Sequence, residues 1–440
     1  MNGAEHPSRR EFLKVSAAVG VGSLVTQGSL AAEPQQAPIA RAHGGAPLRI
    51  ALVGCGGRGT GAVADAMSTQ GPVKLVAMAD AFEDRLEQSL KDLQTQFGDR
   101  IDVPRARQFV GFDAYHQAID CDVDLVILTT PPGFRPLHFK HAVARNRHVF
   151  MEKPVAVDAP GVRMVLDAGK EAARKNLKVG VGLQRRHSPM YRETIQRIWD
   201  GAVGDITLLR VYWNGAGVWV HPRAPGMTEM QYQMRNWYYF NWLCGDHIVE
   251  QHIHNLDVGN WVMRGYPVSA QGQGGRQMRI GPDYGEIYDH HMVEFTYADG
   301  TRMLSQCRHI ADCWDSVSEH VHGARGVVDC AAGKITANGG WSFKASADPR
   351  SPYEIEHEDL HAAIRNDTPY NEAEYGALST MTAIMGRMAT YSGKVIAWQD
   401  ALASELSLQP KTYAWDAQPN VLPDEHGLYP AAKPGATQVL

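Results

Sequence analysis

A short run of glycines near the start of the sequence, residues 54–59, has the spacing G-x-G-x-x-G. It directly follows an apolar run and opens an amphipathic stretch, so we predict that it joins a strand to a helix. There the first glycine permits a tight turn, the second lets the backbone approach a pyrophosphate, and the third lets helix and strand pack closely. The amino terminus of the helix adds a partial positive charge. The predicted dinucleotide site contains Gly54, Gly56, Gly57, Arg58 and Gly59.

Asp80 follows the next predicted strand, about twenty residues after the glycine run. A carboxylate at this place accepts hydrogen bonds from both hydroxyls of the adenine ribose and repels a 2′-phosphate. The sequence therefore predicts NAD as the cofactor. NADP stays possible, because the neighbouring Arg58 and Arg85 could hold a phosphate.

The elements around these residues alternate from residue 48 onward between buried strands and amphipathic helices. Such alternation predicts a parallel sheet with right-handed crossovers, a doubly wound Rossmann domain over residues 48–182. The predicted strands are 48–54, 73–79, 123–129, 148–151 and 178–182, and the predicted helices are 61–69, 83–97, 137–146 and 160–175.

The pattern changes after about residue 205, where apolar and polar residues alternate as in half-solvated antiparallel strands. Asp299-Gly300 between two of these strands indicates a hairpin. We predict an α+β domain with a large, mainly antiparallel sheet over residues 183–395, followed by a C-terminal extension, 396–440. Its strands are 207–213, 291–297, 302–308 and 316–321, and its helices are 246–263, 356–366 and 374–392.

The amino terminus matches the twin-arginine pattern S-R-R-x-F-L-K at residues 8–14, and a modest apolar stretch follows. We predict a twin-arginine signal peptide over residues 1–32, a linker over 33–47 and a periplasmic location. About ten apolar residues cannot cross a hydrocarbon core of about 30 Å, so no stable membrane span is expected in the mature protein.

A second set of motifs, Thr129-Thr130-Pro131-Pro132 and Glu152-Lys153-Pro154, comes at the ends of the third and fourth strands. Together with the glycine run, these motifs resemble the Gfo/Idh/MocA oxidoreductase family. The resemblance implies that the lysine lies beside the nicotinamide and touches a substrate hydroxyl, while the Thr-Pro pair packs on the nicotinamide ribose. It adds Thr130, Pro131, His138, Glu152 and Lys153 to the predicted cofactor site.

The family's other motif is an acid, three residues, a histidine, two residues and an aspartate, which Glu250, His254 and Asp257 match. At this spacing one helix presents all three on one face. The resemblance makes His254 the acid/base, Glu250 its companion and Lys153 the third catalytic residue. Loss of hydride from a carbinol carbon requires loss of the hydroxyl proton, which a histidine accepts while an ammonium group stabilises the developing alkoxide.

The segment that follows the last Rossmann strand borders the substrate pocket in the family. Two of its side chains, His187 and Tyr191, either line that pocket or pack in the core. An aromatic group comprising Trp219, Trp237, Tyr238, Tyr239 and Trp242 could stack on a sugar or fill a core. The predicted substrate contacts are Gln184, Arg186, His187, Tyr191 and Asp257.

Composition excludes other classes of function. The net charge of −5, without a basic cluster, argues against nucleic acid as a partner. The chain has many histidines but no HExxH motif, so we predict no metal site. The six cysteines form no CxxC pair and are expected to be mostly reduced; the spacing of Cys307 and Cys313 does not by itself show a disulfide.

These observations predict an NAD(P)-dependent oxidoreductase that acts on a sugar or cyclitol, with the second-domain sheet pairing subunits in a homo-oligomer. Since no ready pool of free NAD exists outside the inner membrane, export implies that a tightly bound cofactor is regenerated in place. Two reactions do this: hydride exchange between two carbinol/carbonyl substrates, and redox-neutral hydrolysis of a glycoside. A third interpretation is a sugar-binding protein without catalysis.

Overall fold

The computed structural model describes residues 45–346 and 349–440. The predicted signal peptide, 1–32, and most of the predicted linker lie outside the described residues. Among the helices of the described part, none combines the length and the apolar character that crossing a membrane requires.

The first half of the chain forms a six-stranded sheet in which every pair of neighbours is parallel. Its strands are β1 (Leu48–Val53), β2 (Val73–Asp80), β3 (Gln108–Val110), β4 (Leu125–Leu128), β5 (His148–Met151) and β6 (Val179–Val181). The spatial order is β3-β2-β1-β4-β5-β6, which confirms the predicted doubly wound sheet. Only β3, three residues long and partly exposed, has no counterpart among the predicted strands.

Helices cover both faces of this sheet, as the buried strands require. The sheet's own crossovers supply α1 (Gly57–Ser68), α2 (Glu83–Phe97), α3 (Ala114–Asp120), α4 (Arg135–Ala144) and α5 (Ala159–Arg174). A sixth helix on this sheet comes from much later in the chain. Residues 352–365 return to pack beside α1, with Leu360 and Ile364 in the core beneath that helix. The sequence assigned this stretch to the second domain, because sequence order carries no sign of such a return.

The second sheet has nine strands and is mainly antiparallel, as predicted. The strands are β7 (Ile206–Gly215), β8 (Ser269–Gly275), β9 (His290–Thr296), β10 (Arg302–His309), β11 (Ser316–Gly323), β12 (Gly326–Asp329), β13 (Lys334–Ala337), β14 (Ser342–Lys344) and β15 (Ile396–Ala397). Their order is β14-β13-β12-β11-β7-β10-β9-β8-β15, and only β7 and β10 pair in parallel. Alternating burial along β9 and β10 shows that one face packs on the core.

The returning helix described above is α11 (Pro352–Arg365). Seven further α-helices of the described part are α6 (Pro189–Trp199), α7 (Glu229–Arg235), α8 (Asn241–Cys244), α9 (His247–Glu250), α10 (Ile253–Met263), α12 (Ala373–Ser392) and α13 (Trp398–Ala403). The long, almost fully buried α12 packs on α5 of the Rossmann half and on β8 of the second sheet. It therefore holds the two sheets in one unit. Residues 404–440, here named the C-terminal segment, contain neither helix nor strand.

Candidate active site

The glycine run lies where β1 turns into α1, at the carboxyl edge of the parallel sheet. Gly54 has a φ of +98°, and a Cβ there would meet the backbone nitrogen of Thr130 at 2.5 Å. A Cβ on Gly59 would lie 2.0 Å from the carbonyl oxygen of Gly54. Gly56 differs from both, since a Cβ there would meet nothing within 4 Å. Two glycines thus let helix and strands pack, while the third leaves backbone open to a ligand.

Asp80, at the end of β2, reaches back to this turn. Its Oδ2 accepts a hydrogen bond from the backbone N–H of Cys55 at 2.6 Å, and its Oδ1 accepts one from that of Phe82 at 2.9 Å. Burial raises the pKa of Asp80, and these bonds act in the opposite direction. Each carboxylate oxygen can accept a further hydrogen bond, so the side chain suits a pair of ribose hydroxyls.

The turn, Asp80 and the ends of β1 and β4 line a cavity of about 520 Å³, which we name the dinucleotide groove. Its open glycine backbone, its helix amino terminus and its carboxylate fit an adenine dinucleotide. Nine of the predicted cofactor residues line it: Gly54, Gly56, Gly57, Arg58, Gly59, Asp80, Thr130, Pro131 and His138.

His138 supports the part of the groove formed by Thr130 and Pro131. Its Nδ1 lies 3.2 Å from the Thr130 hydroxyl, and its ring stacks between Tyr115 and Phe134. Burial, together with the nearby Arg135, lowers the pKa of His138 well below the usual range. The imidazole is therefore neutral, and it orients the Thr130 hydroxyl.

Glu152 and Lys153, the remaining predicted cofactor residues, lie beside the groove without lining it. Arg58, which does line it, donates from Nε to Glu152 Oε1 at 2.5 Å. The Glu152 side chain also fills the space that a Cβ on Gly182 would need. Through its bond to Arg58, Glu152 thus connects the glycine run to the residues that follow β5, of which Lys153 is the next.

The Lys153 ammonium makes two contacts with a single residue of the second half of the chain. It donates to the Glu250 backbone oxygen at 2.7 Å and to Glu250 Oε1 at 3.0 Å. Both side chains are about nine-tenths buried. Lys153 and Glu250, 97 positions apart in sequence, are therefore in direct contact. The sequence indicated that both take part in the reaction but did not predict this contact.

The predicted single helix over residues 246–263 is wrong, because α9 ends at Glu250 and α10 starts at Ile253. At the break, the His252 ring bonds to the Ser305 hydroxyl at 2.8 Å. The backbone N–H of His254 bonds to Gln251 and not to Glu250. The break therefore leaves the Glu250 carbonyl oxygen available to the Lys153 ammonium, which an unbroken helix would not do.

His254 is the second residue of the second of these helices and is almost fully buried. Its ring stacks on Trp213 with 5.9 Å between centroids and 22° between planes. Burial and then the positive charge of Lys153 lower the pKa of His254 well below the usual range. Its Nδ1 has no hydrogen-bond partner within the described part of the chain. The ring is thus a neutral base beside an ammonium group.

Three of the predicted substrate residues are held in partly buried contacts with protein partners. Arg186 donates two hydrogen bonds to the Asp257 carboxylate, from Nε to Oδ2 at 2.9 Å and from Nη2 to Oδ1 at 2.8 Å. The same carboxylate accepts a bond from the Ser379 hydroxyl at 2.7 Å. Gln184 donates to the Tyr353 hydroxyl at 2.9 Å. These side chains join α10, α12 and α11, and a substrate role for them stays a prediction.

His187 and Tyr191 are also held by protein side chains, and a place in the substrate pocket stays a prediction for both. The His187 ring lies between the carboxylates of Asp359 and Glu372, at 2.8 and 3.1 Å. Burial opposes its charged form, but the two carboxylates raise the pKa of His187 overall. Tyr191 donates to the buried Glu319 at 3.0 Å, and Arg185 pairs with the same carboxylate.

The aromatic group divides between two environments. Tyr238, Tyr239 and Trp242 are buried in one core cluster. Trp219 and Trp237 line the dinucleotide groove, together with His221, Met234 and Arg235 of the same region. Sequence reasoning missed these last three groove residues, because no glycine or acidic motif accompanies them.

Among the described residues, one buried cluster has metal-ligand types, with the ligand atoms of Asp246, His247 and His291 within 4.8 Å of one another. The Asp246 carboxylate is already engaged. It accepts bonds from the backbone N–H groups of His247 and Tyr288 and from the Tyr391 hydroxyl, and the His291 ring lies 3.2 Å away. Both ring nitrogens of His247, in contrast, have no hydrogen-bond partner within the described part of the chain. All six cysteines, Cys307 and Cys313 included, are free.

Comparison with known proteins supports this account of the first domain. Residues 48–183 match the Gfo/Idh/MocA oxidoreductase family with its NAD-binding Rossmann fold. An inositol 2-dehydrogenase of Rhizobium meliloti is 26% identical over 284 residues, which are 64% of this chain and 74% of the relative. A glycosyl hydrolase family 109 protein of Streptomyces coelicolor is 26% identical over 243 residues, but these span only 48% of the relative and 52% of this chain.

A solved structure, scyllo-inositol dehydrogenase from Lactobacillus casei with bound NAD(H) and scyllo-inositol, superposes with a TM-score of 0.62. It covers 80% of this chain and all of the other at 20% identity, which shows that the fold is shared. The glycine turn, Asp80 and the family match agree on the cofactor. Residues 48–183 therefore form an NAD-binding Rossmann domain that is similar to that of the Gfo/Idh/MocA oxidoreductases.

Proposed function

We propose that this protein transfers hydride between NAD and a carbinol or carbonyl group of a sugar or cyclitol, with Lys153 and His254 acting on the same substrate oxygen. The observation that carries the proposal is the buried ion pair of Lys153 with Glu250, next to a neutral His254. Lys153 directly follows Glu152, which binds Arg58 in the wall of the groove, so the pair lies close to the cofactor site. The names of the inositol dehydrogenase relatives support a polyhydroxylated substrate.

Lys153 is suited to stabilise negative charge on the substrate oxygen. An ammonium group has three donors, and Glu250 takes two of those on Lys153. The third has no partner within the described residues and is available to a substrate hydroxyl. Because the Glu250 carbonyl and carboxylate fix the Nζ position, the ammonium needs little reorganisation when charge develops on that oxygen.

His254 is suited to accept the hydroxyl proton. Burial and the neighbouring ammonium lower its pKa, so the ring is neutral before the reaction and its unpartnered Nδ1 can take a proton, although the same shift makes it a weaker base. NAD, when bound, accepts the hydride from the carbinol carbon. The substrate then loses one hydride and one proton and becomes a carbonyl compound, and the reverse transfer reduces a carbonyl.

We propose further that NAD stays bound and is restored within each catalytic cycle. The support is the twin-arginine pattern at residues 8–14, which indicates export to the periplasm, where free NAD is scarce. Pairing of subunits through the open face of the second sheet is part of the same proposal. The second candidate is redox-neutral glycoside hydrolysis, which the glycosyl hydrolase family 109 relative favours.

One experiment tests the reaction and separates the two candidates. The purified protein, with its bound cofactor and no added NAD, is mixed with a panel of sugars and cyclitols while absorbance at 340 nm is followed. The proposal expects about one reduced nicotinamide per active site with a productive donor. A second carbonyl compound then discharges that signal.

The panel also includes aryl glycosides. Release of the aglycone without net change at 340 nm would replace the oxidoreductase proposal with the hydrolase. NADH production that exceeds the protein many-fold and depends on added NAD would contradict regeneration in place. Full activity in a Lys153→Met variant would remove Lys153 from the reaction.

A further inference from the structure

The dinucleotide groove has a second wall that the glycine run and the family motifs do not supply. Five of its lining residues come from the second half of the chain: Trp219, His221, Met234, Arg235 and Trp237. Asp80, Phe82 and Arg85 line the same groove from the Rossmann half. Since Asp80 is placed to meet the adenine ribose, this wall faces the adenosine half of a bound dinucleotide.

Arg235 joins the two walls. Its guanidinium donates to both carboxylate oxygens of Asp84, at 2.8 and 2.6 Å, and lies 3.7 Å above the Phe82 ring. Asp84 is in the first turn of α2, directly after the Asp80 loop, while Arg235 ends α7. The pair therefore bridges 151 positions of sequence across the mouth of the groove.

The C-terminal segment holds α7 in this position. The Thr228 hydroxyl, which caps α7, donates to the Trp415 carbonyl at 2.7 Å, and Gln233 donates to the Val421 carbonyl at 2.8 Å. The Tyr429 hydroxyl donates to Glu229 at 2.5 Å. One side of α7 thus faces the groove, and the C-terminal segment anchors the helix from its first residue to its last turn.

The same segment also supports the Rossmann side of the groove. The Trp415 ring packs against Phe82 and Phe112, with centroids 5.0 and 4.5 Å apart, and Tyr413 packs against Phe134 at 5.3 Å. All three phenylalanines line the groove. One stretch of chain therefore holds both walls, so they cannot separate without loss of these contacts.

We propose that α7, the Arg235–Asp84 pair and the C-terminal segment form a clasp over the adenosine half of bound NAD, and that opening of this clasp limits NAD release. The inference rests on NAD binding and on no particular substrate. Such a clasp supplies what regeneration in place requires, a cofactor that stays bound for many catalytic cycles.

Release of the cofactor tests the clasp without any substrate. The full-length protein is loaded with NADH and diluted into a large excess of NAD, and the loss of bound-NADH fluorescence gives the dissociation rate. Arg235→Ala and Asp84→Ala should each accelerate release about three- to tenfold, the range for a bidentate but partly exposed ion pair. The double variant Arg235→Asp/Asp84→Arg should restore slow release.

Two further variants make the test decisive. Trp415→Ala, with folding checked by thermal unfolding, should accelerate release more than either pair variant, because it loosens both walls. Arg105→Ala is the matched control, since Arg105 forms an ion pair with Glu83 next to Asp84, outside the groove. Unchanged release in both Arg235→Ala and Asp84→Ala, or equal acceleration in Arg105→Ala, would overturn the clasp and leave the proposed reaction untouched.

Discussion

The dinucleotide groove and the proton-transfer site are built in opposite ways. The groove's phosphate side consists of backbone at one strand-to-helix turn, with residues close together in sequence. The proton-transfer site consists of three side chains, Lys153, Glu250 and His254, which come together over about a hundred positions and are about nine-tenths buried or more. The first site depends on glycines, whose lack of a side chain lets the backbone turn and stay open, whereas the second depends on each partner of a buried charge pair.

The first prediction separates the two regions most strongly. His254→Gln removes the base but keeps a side chain of similar size, so turnover should fall by about 10²–10⁴. The amount of NAD(H) released on denaturation should be unchanged. His426→Gln, at an exposed position of the C-terminal segment, is the control. If His254→Gln lost its cofactor as well, the two regions would not be independent.

A second prediction divides the groove itself. Gly56→Ala puts a methyl group where the structure has open space beside the helix amino terminus, so NAD should bind at least about tenfold more weakly with little change in Tm. Gly59→Ala drives a methyl group into the Gly54 carbonyl and should cost about 1–3 kcal/mol of stability. Titration calorimetry and thermal unfolding of both variants check this. The reverse pattern would refute the assignment of the two glycines.

Asp80 provides a third, smaller effect. Asp80→Asn removes the charge that suits the ribose hydroxyls, so NAD affinity should fall about tenfold and discrimination against NADP should weaken. Asp92→Asn, on the exposed side of α2, serves as the control. Binding of both dinucleotides to cofactor-free protein is the measurement. Tighter binding of NADP than of NAD by the unaltered protein would contradict the role of Asp80.

The smallest effect concerns pH and stability. Burial strongly lowers the pKa of eight histidines, to about 4 for His148 and about 3 for His252, His309 and His361. The unfolded chain binds these protons near pH 6.5 but the folded chain does not, so stability present above pH 6.5 is lost as pH falls towards 4. The other four are His138, His247, His254 and His357.

Each of these histidines lowers the free energy of unfolding by up to about 1.4 kcal/mol for each pH unit of acidification in that window. Glu286, whose pKa burial raises to about 7, acts in the opposite direction. So do five other groups whose pKa is raised in the folded protein: Glu356, Glu319, Asp65, Asp80 and His187. The histidines outnumber them, so Tm should fall by at least about 5 °C between pH 7 and pH 5. Calorimetry measures this, and a Tm that rises on acidification would show that the buried carboxyls prevail.

The sequence determined much of the fold and the side of the groove that the glycine run and Asp80 form. The buried strands and α2 were predicted at or within two residues of their observed bounds, because hydrophobic period and strand–helix alternation are local properties. The glycine run and Asp80 were found for the same reason. Each needs only its own strand and turn to be correctly placed, and the parallel sheet then brings the strand ends to one edge.

Tertiary structure alone decided how the reactive side chains meet and what closes the groove. The break between α9 and α10 depends on contacts such as His252 with Ser305, and it frees the Glu250 carbonyl for Lys153. The return of α11 to the Rossmann sheet and the clasp at Arg235 join segments far apart along the chain. No local periodicity encodes such pairings, because their stability comes from burial and charge complementarity that exist only once the chain has folded.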